Sequence, residues 1–164
     1  MKKFWNSIKD YVYIIVAVVL IRTFLVTPAI VDGRSMDDTL KNNDLVIINK
    51  LVYRIKDINR FDVVVVKNDQ DKDKIIKRVI GLPNETIIYR NNKLYINNKE
   101  VKTNIKFKDT EDFEYTTKKN EYFVMGDNRP VSKDSRYLGA FNRKKILGRV
   151  SLRLFPFNKI GKIK

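Results

Sequence analysis

Residues 11–21 read YVYIIVAVVLI, a run with no charged side chain. A bilayer-spanning helix needs about 20 mostly apolar residues, more than this run offers alone. Continued through Arg22, Thr23 and FLVTPAIV to Val31, the segment is long enough, with Arg22 snorkelling toward a headgroup layer. Lys2, Lys3 and Lys9 precede it, and positive charge marks the cytoplasmic flank of a span. The expected layout is a cytoplasmic N-terminus over 1–10, a transmembrane anchor over 11–31 with Pro28 breaking the helix near its end, and an outer domain over 32–164. Two other readings stay open. The run could be a buried helix of a soluble protein, or a cleavable leader, since Thr27-Pro28-Ala29 has a small-x-small pattern.

Past residue 31 the pattern changes from helical to strand-like. Leu45–Ile48 and Val63–Val66 are short β-branched runs bounded by Asp, Asn and Lys, and Lys74–Gly81 is a third candidate. Thr86–Arg90 and Lys93–Ile96 flank Asn91-Asn92, a pair that tolerates the left-handed backbone of a tight hairpin turn. Asn97-Asn98 marks a second turn, and Glu121–Met125 and Ile146–Leu154 are further strands. No long amphipathic helix follows the anchor. Residues 104–120 are polar and charged and read as an inserted variable loop. The outer domain is therefore expected to be mainly β, with antiparallel strands joined by turns.

The chain of 164 residues has no histidine and no cysteine. Those absences exclude a Ser-His-Asp triad, histidine-based metalloprotease chemistry, a thiolate zinc site, a cysteine nucleophile and disulfides. A nucleophilic enzyme of this composition must activate Ser or Thr with Lys or a carboxylate. The formal net charge is +15. Its basic residues are dispersed among acidic ones, which fits a solvated surface or one held against anionic lipid or wall polymer. No zinc-finger or basic-zipper pattern points to nucleic acid.

Serine is scarce, with Ser7, Ser35, Ser132, Ser135 and Ser151 the whole set. Ser35 stands in the turn-like Gly33-Arg34-Ser35-Met36, at most about 14 Å of extended chain beyond Val31. Ser132 and Ser135 stand in GDNRPVSKDSR at 126–136, a segment dense in turn formers that could also be no more than a well-capped loop. A lysine base for Ser35 would have to lose its proton easily. An ordinary lysine, with a pKa of about 10.4, is neutral in about 4 of 10,000 molecules at pH 7. Burial among apolar groups lowers that pKa. Most lysines here lie in polar runs such as Asp71-Lys72-Asp73-Lys74, whereas Lys77 sits within Ile75-Ile76-Lys77-Arg78-Val79-Ile80. Lys77 is thus either a desolvated lysine or an outward-facing one on an alternating strand.

Ser35-Met36 with Thr39-Leu40, then Asp44-Leu45-Val46, then Lys77-Arg78-Val79-Ile80-Gly81-Leu82-Pro83, then GDNRPVSKDSR, together resemble bacterial type I signal peptidases in order and spacing. The apolar segment with Arg22 and Phe24 before the serine is similar too, and the resemblance covers nearly the whole chain outside 104–120. It implies a signal-peptidase-like β-rich catalytic domain behind one transmembrane helix. It implies a membrane-bound serine endopeptidase that cuts signal peptides from exported preproteins after small-x-small motifs, with no metal or organic cofactor. Ser35 would be the nucleophile and Lys77 its base. Ser132 would hydrogen-bond and orient the lysine, Asp134 and Arg136 would support the site as an ion pair, and Asp127, Asn128 and Arg129 would shape the turn. The Ser35 N–H would hold the oxyanion; some members add a hydroxyl two positions earlier, where this chain has Gly33. The substrate would lie as an added strand between two edges of the protein. Ile30, Val31, Met36, Leu40, Ile75 and Ile76 would line pockets for small side chains. The expected partners are signal peptides and the lipid bilayer, without nucleic acid, and the chain is expected to act as a monomer.

Three positions depart from the family pattern. Asp38 replaces Pro, Asn43 replaces Gly, and Phe61 replaces Gly. A carboxylate at Asp38 facing Lys77 would raise the lysine pKa and slow the enzyme, which makes an inactive or specialised homologue the alternative. A self-cutting Ser–Lys protease and a membrane-tethered basic binding protein are the remaining alternatives. The first is opposed by the apolar segment and the second leaves Lys77 and GDNRPVSKDSR unexplained.

Overall fold

The computed structural model describes residues 9–16, 18, 25–69 and 73–163. Runs of β-branched residues between turn formers become strands, as expected. β1 (Val26–Ile30), β2 (Leu45–Asn49), β3 (Val63–Lys67) and β4 (Lys74–Gly81) are followed by β5 (Thr86–Arg90), β6 (Lys93–Ile96) and β7 (Lys99–Glu100). Then come β8 (Phe113–Thr116), β9 (Glu121–Met125), β10 (Phe141–Asn142), β11 (Ile146–Phe155) and β12 (Gly161–Lys162). The larger sheet runs β1-β2-β11-β3-β4-β9-β10, with β12 paired to β11; the smaller runs β7-β6-β5-β8. All the strand pairs are antiparallel.

The four consecutive valines of β3 are buried because both faces of the large sheet are covered. Val63 and Val65 join Val31, Met36, Leu40, Val46 and Val150 on one side. Val64 and Val66 join Tyr53, Ile58, Val79, Val124 and Phe141 on the other. A third cluster, with Ile80, Ile87, Tyr89, Phe123 and Met125, ties the small sheet to the ends of β4 and β9. The β5–β6 hairpin turns on Asn91 and Asn92, both at positive φ (51° and 59°), as a type I′ turn requires. Asn97 and Asn98 repeat the arrangement with φ of 49° and 64°.

Two sequence expectations need correction. Residues 26–30 do not continue a helix. They form β1, paired with β2 from Val26↔Asn49 to Ile30↔Leu45, so the β-rich unit begins at Val26 and not at residue 32. Three of those five residues are Val, Thr and Ile, which favour strand, and Pro28 is tolerated because β1 is an edge strand. The Thr27-Pro28-Ala29 motif thus lies inside a sheet. Residues 9–16 are helical, and residues 17 and 19–24 of the expected 11–31 span lie outside the described residues. Among the described residues no helix is long and apolar enough to cross a membrane. Second, the expected 104–120 loop contains β8, whose alternating Phe113, Glu114, Tyr115 and Thr116 pair with β5. The many charges around it hid that strand.

Candidate active site

The segment after β1 places Ser35. Gly33, at φ 94°, turns the chain away from the strand and donates its N–H to Asn42 Oδ1 at 2.9 Å. Met36 and Leu40, 2% and 0% exposed, sink into the core and pin the turn that follows. From the other side Asn128 donates its backbone N–H to the Ser35 carbonyl at 3.0 Å and its Nδ2 to the Arg34 carbonyl at 3.0 Å. The Ser35 N–H has no hydrogen-bond partner among the described residues.

Lys77 approaches from β4, across from Val64 of β3. It is 4% exposed, and its Nζ lies 2.6 Å from Ser35 Oγ, within hydrogen-bond range. Burial pulls its pKa down to about 8; Asp134 and Asp127 oppose that pull, and Arg136 adds to it. Desolvation is the larger influence, because the nearby carboxylates are already engaged by arginines. Asp127 accepts from Arg78 Nε at 2.8 Å and Nη2 at 2.7 Å, and from Thr39 Oγ1 at 2.5 Å. Both members of the Arg78–Asp127 pair are fully buried. Asp134 accepts from Arg136 Nε at 2.9 Å and from the Gly126 N–H at 3.0 Å, and Arg136 Nη2 reaches the Arg129 carbonyl at 2.6 Å. Arg129 is itself buried, stacked on Phe107 and Tyr89 and donating to Thr110 Oγ1 at 2.8 Å.

Sequence reasoning singled out Ser35, Lys77, Asp127, Asn128, Asp134 and Arg136, and the structure brings them together. It corrects two expectations. Ser132 is buried against Gly126, but its Oγ makes no hydrogen bond, to Lys77 or to any other described residue. Among the described residues, the one hydrogen bond of the Lys77 amine goes to Ser35 instead. Leu40 lies in the core and does not line the cleft beside Ser35. That cleft, about 130 Å³, is lined by Ile30, Val31, Met36, Ile75 and Ile76 as expected. Asp32, Gly33 and Lys74 complete its walls, and sequence reasoning missed them. Arg78 and Thr39 were legible only as motif letters. A charge inside an apolar strand run signals a buried partner, and Asp127 is that partner.

Asp38 does not face Lys77. Its side chain is 56% exposed, with Oδ2 3.5 Å from Lys108 Nζ. Its φ of 81° is closed to proline, so the chain bends here in a way the family's Pro could not. Asn43 and Phe61 hold φ of 67° and 70°, the left-handed region that explains glycine in the family pattern. Asn adopts it at small cost. Phe61 does so while its ring packs against the third core cluster, 6.4 Å from Phe107.

The model of the family described as signal peptidase, peptidase S26, matches residues 4–155. The chain belongs to the S26 signal peptidase family. It is a hydrolase of that peptidase class. A signal peptidase I P from Bacillus subtilis subsp. natto is 40% identical over 93% of this chain and 90% of that protein. A signal peptidase I from Streptococcus pneumoniae serotype 4 is 32% identical over 98% of this chain and 99% of that protein. A crystal structure of a signal peptidase I from Enterococcus faecalis V583 is 34% identical, with a TM-score of 0.53, covering 59% of this S26 chain and 99% of that one.

Proposed function

We propose that this S26 peptidase is a membrane-bound serine endopeptidase that cuts signal peptides from exported preproteins with a Ser35–Lys77 dyad. The observation that carries the reading is the 2.6 Å contact between Ser35 Oγ and a Lys77 Nζ removed from water. In its neutral form the amine accepts the Ser35 proton as Oγ attacks the scissile carbonyl. The ammonium then protonates the departing amine, and water completes hydrolysis of the acyl-enzyme. The Ser35 N–H, free of other partners among the described residues, is placed to bind the oxyanion. Gly33 cannot add its own N–H while that group is bonded to Asn42.

Sheet topology supports the substrate's path. β9 pairs with β4 only from Arg78 onward, so residues 74–77 keep one edge free among the described residues. Residues 30–33 form the facing wall of the cleft. An extended peptide between these walls gains backbone hydrogen bonds and presents alternate side chains to a cavity suited to small groups.

Two features support a membrane address, and the Lys2, Lys3 and Lys9 flank favours a cytoplasmic N-terminus. The described helical residues at 11–16 and 18 that are large and apolar are 49–69% exposed, an all-round apolar helix that lipid would cover. Ile30, Phe155, Phe157 and Ile160 are also exposed, at the end of the sheet that leads to Ser35.

Processing of a secreted precursor by the full chain in detergent or liposomes tests the reading. Ser35→Ala and Lys77→Ala should each lower the rate by about 10⁴-fold or more with the fold retained by circular dichroism. Full activity in either variant would refute the dyad.

A further inference from the structure

The cleft beside Ser35 carries a charge that the proposed chemistry does not use. Lys74 opens β4 at the cleft wall, with an exposed side chain that makes no ion pair or hydrogen bond with the described residues. Its cross-strand neighbour is Lys67, also exposed. Like charges directly opposite each other weaken a ladder, so this pairing does not serve the sheet. The nearby Asp69 carboxylate is engaged by Lys145. Apart from Lys77, the charged residues lining the cleft are Lys74 and, on the other wall, Asp32.

The position of Lys74 along the free edge can be converted into a substrate position. Each strand residue rises about 3.3 Å, so Lys74 lies roughly 10 Å from Lys77 along β4. A peptide with its scissile carbonyl at Ser35 has its preceding residues along this edge. β4 is covered by β9 beyond Lys77, which leaves them no other course. Three steps back from the residue at the scissile bond, the fourth residue comes level with Lys74. We propose that Lys74 is a specificity-determining residue that favours a carboxylate side chain at the fourth residue before the cut and disfavours a lysine or arginine there. The inference rests on the signal-peptide reading above.

The test uses one secreted precursor with Glu, Gln or Lys at that fourth position, cleaved by the wild-type chain, by Lys74→Glu and by Lys74→Gln. Each enzyme is judged by its ratio of kcat/KM for the Glu and Lys precursors, so a change in overall rate cancels. The wild type should prefer the Glu precursor by about five-fold, the scale of an exposed ion pair. The preference should invert in Lys74→Glu, vanish in Lys74→Gln, and weaken as salt is raised. Moving the Glu to the third, fifth or sixth position should lower the preference. Equal ratios in all three enzymes would overturn the proposal and leave the Ser–Lys reading standing. Failure of the wild type to cut any of the precursors would overturn both.

Discussion

Lys77 is held in a state that a folded protein does not favour. Burial brings its pKa from 10.5 to about 8, so the folded chain binds fewer protons than the unfolded chain between those values. Stability is therefore gained as pH rises through that window. Below about pH 8 the buried ammonium carries its full cost, roughly 3 kcal/mol at about 1.4 kcal/mol per pH unit. With Lys77 as the proposed base, the same shift sets the rate. The neutral amine grows tenfold per unit up to about pH 8, so kcat/KM should climb with that slope and level off above it. Lys77→Met should separate the two effects. It removes the proposed base and its bond to Ser35, worth about 1 kcal/mol, along with the desolvation cost. The variant should be inactive yet about 1–2 kcal/mol more stable than wild type in urea at pH 6, with the difference shrinking toward pH 10. A variant less stable at pH 6 and equally so at pH 10 would show that Lys77 carries no desolvation cost.

At the scale of elements, the nucleophile turn and the 126–136 segment act as one unit through Gly126. A methyl group at Gly126 would overlap the Ser132 hydroxyl and the Ser35 carbonyl oxygen. Gly126→Ala should therefore displace Ser35 from Lys77 and lower kcat by about 10²-fold, the effect of a misplacement of about 1 Å. Gly148→Ala is the comparison. A methyl there meets the Asn49 carbonyl oxygen across β11 and β2, far in the sheet from Ser35. It should lower stability by about 1–3 kcal/mol and leave the pH–rate profile unchanged. A matching loss of stability without loss of kcat in Gly126→Ala would break the proposed link. Much of this unit was readable in the residues. With no histidine or cysteine, the base had to be a lysine or a carboxylate, and an apolar run marked Lys77 out from the other lysines. Strand runs with Asn-Asn turns were readable for the same local reason. β1 was not, because Val26–Ile30 continues the apolar run of the preceding helix and only its pairing with β2 makes it a strand. Leu40, between Thr39 and Lys41, and Ile76, beside Ile75, were both expected to line a pocket, and only tertiary packing puts one in the core and the other in the cleft.

For the molecule as a whole, the proposed membrane address calls for a surface that would seat Ser35 against lipid. Ile30, Leu45 and Phe155 lie side by side across β1, β2 and β11, at the end of the sheet from which the chain runs on to Ser35. Phe157 and Ile160 extend this row, at 78% and 55% exposed. Their loop is tied down, not loose. Arg153 donates Nε to the Lys159 carbonyl at 3.1 Å and Nη1 to Asp44 Oδ2 at 2.8 Å, fixing the loop to the turn beneath the nucleophile segment. Fixed apolar side chains beside a net charge of +15 suit an anionic bilayer, which rewards burial of each ring by about 1.5–3 kcal/mol and attracts the surrounding lysines. The full chain with Phe155→Ser and Phe157→Ser, reconstituted in anionic liposomes, should process a bilayer-embedded precursor about three- to ten-fold more slowly. Its rate on a short soluble peptide should fall much less, because that substrate does not depend on how the site sits over the membrane. Ile55, 71% exposed beyond the opposite end of β2, serves as the control, and Ile55→Ser should affect neither substrate. An equal loss on both substrates in the double variant would assign the two rings to the fold of the site and not to its seat on the bilayer.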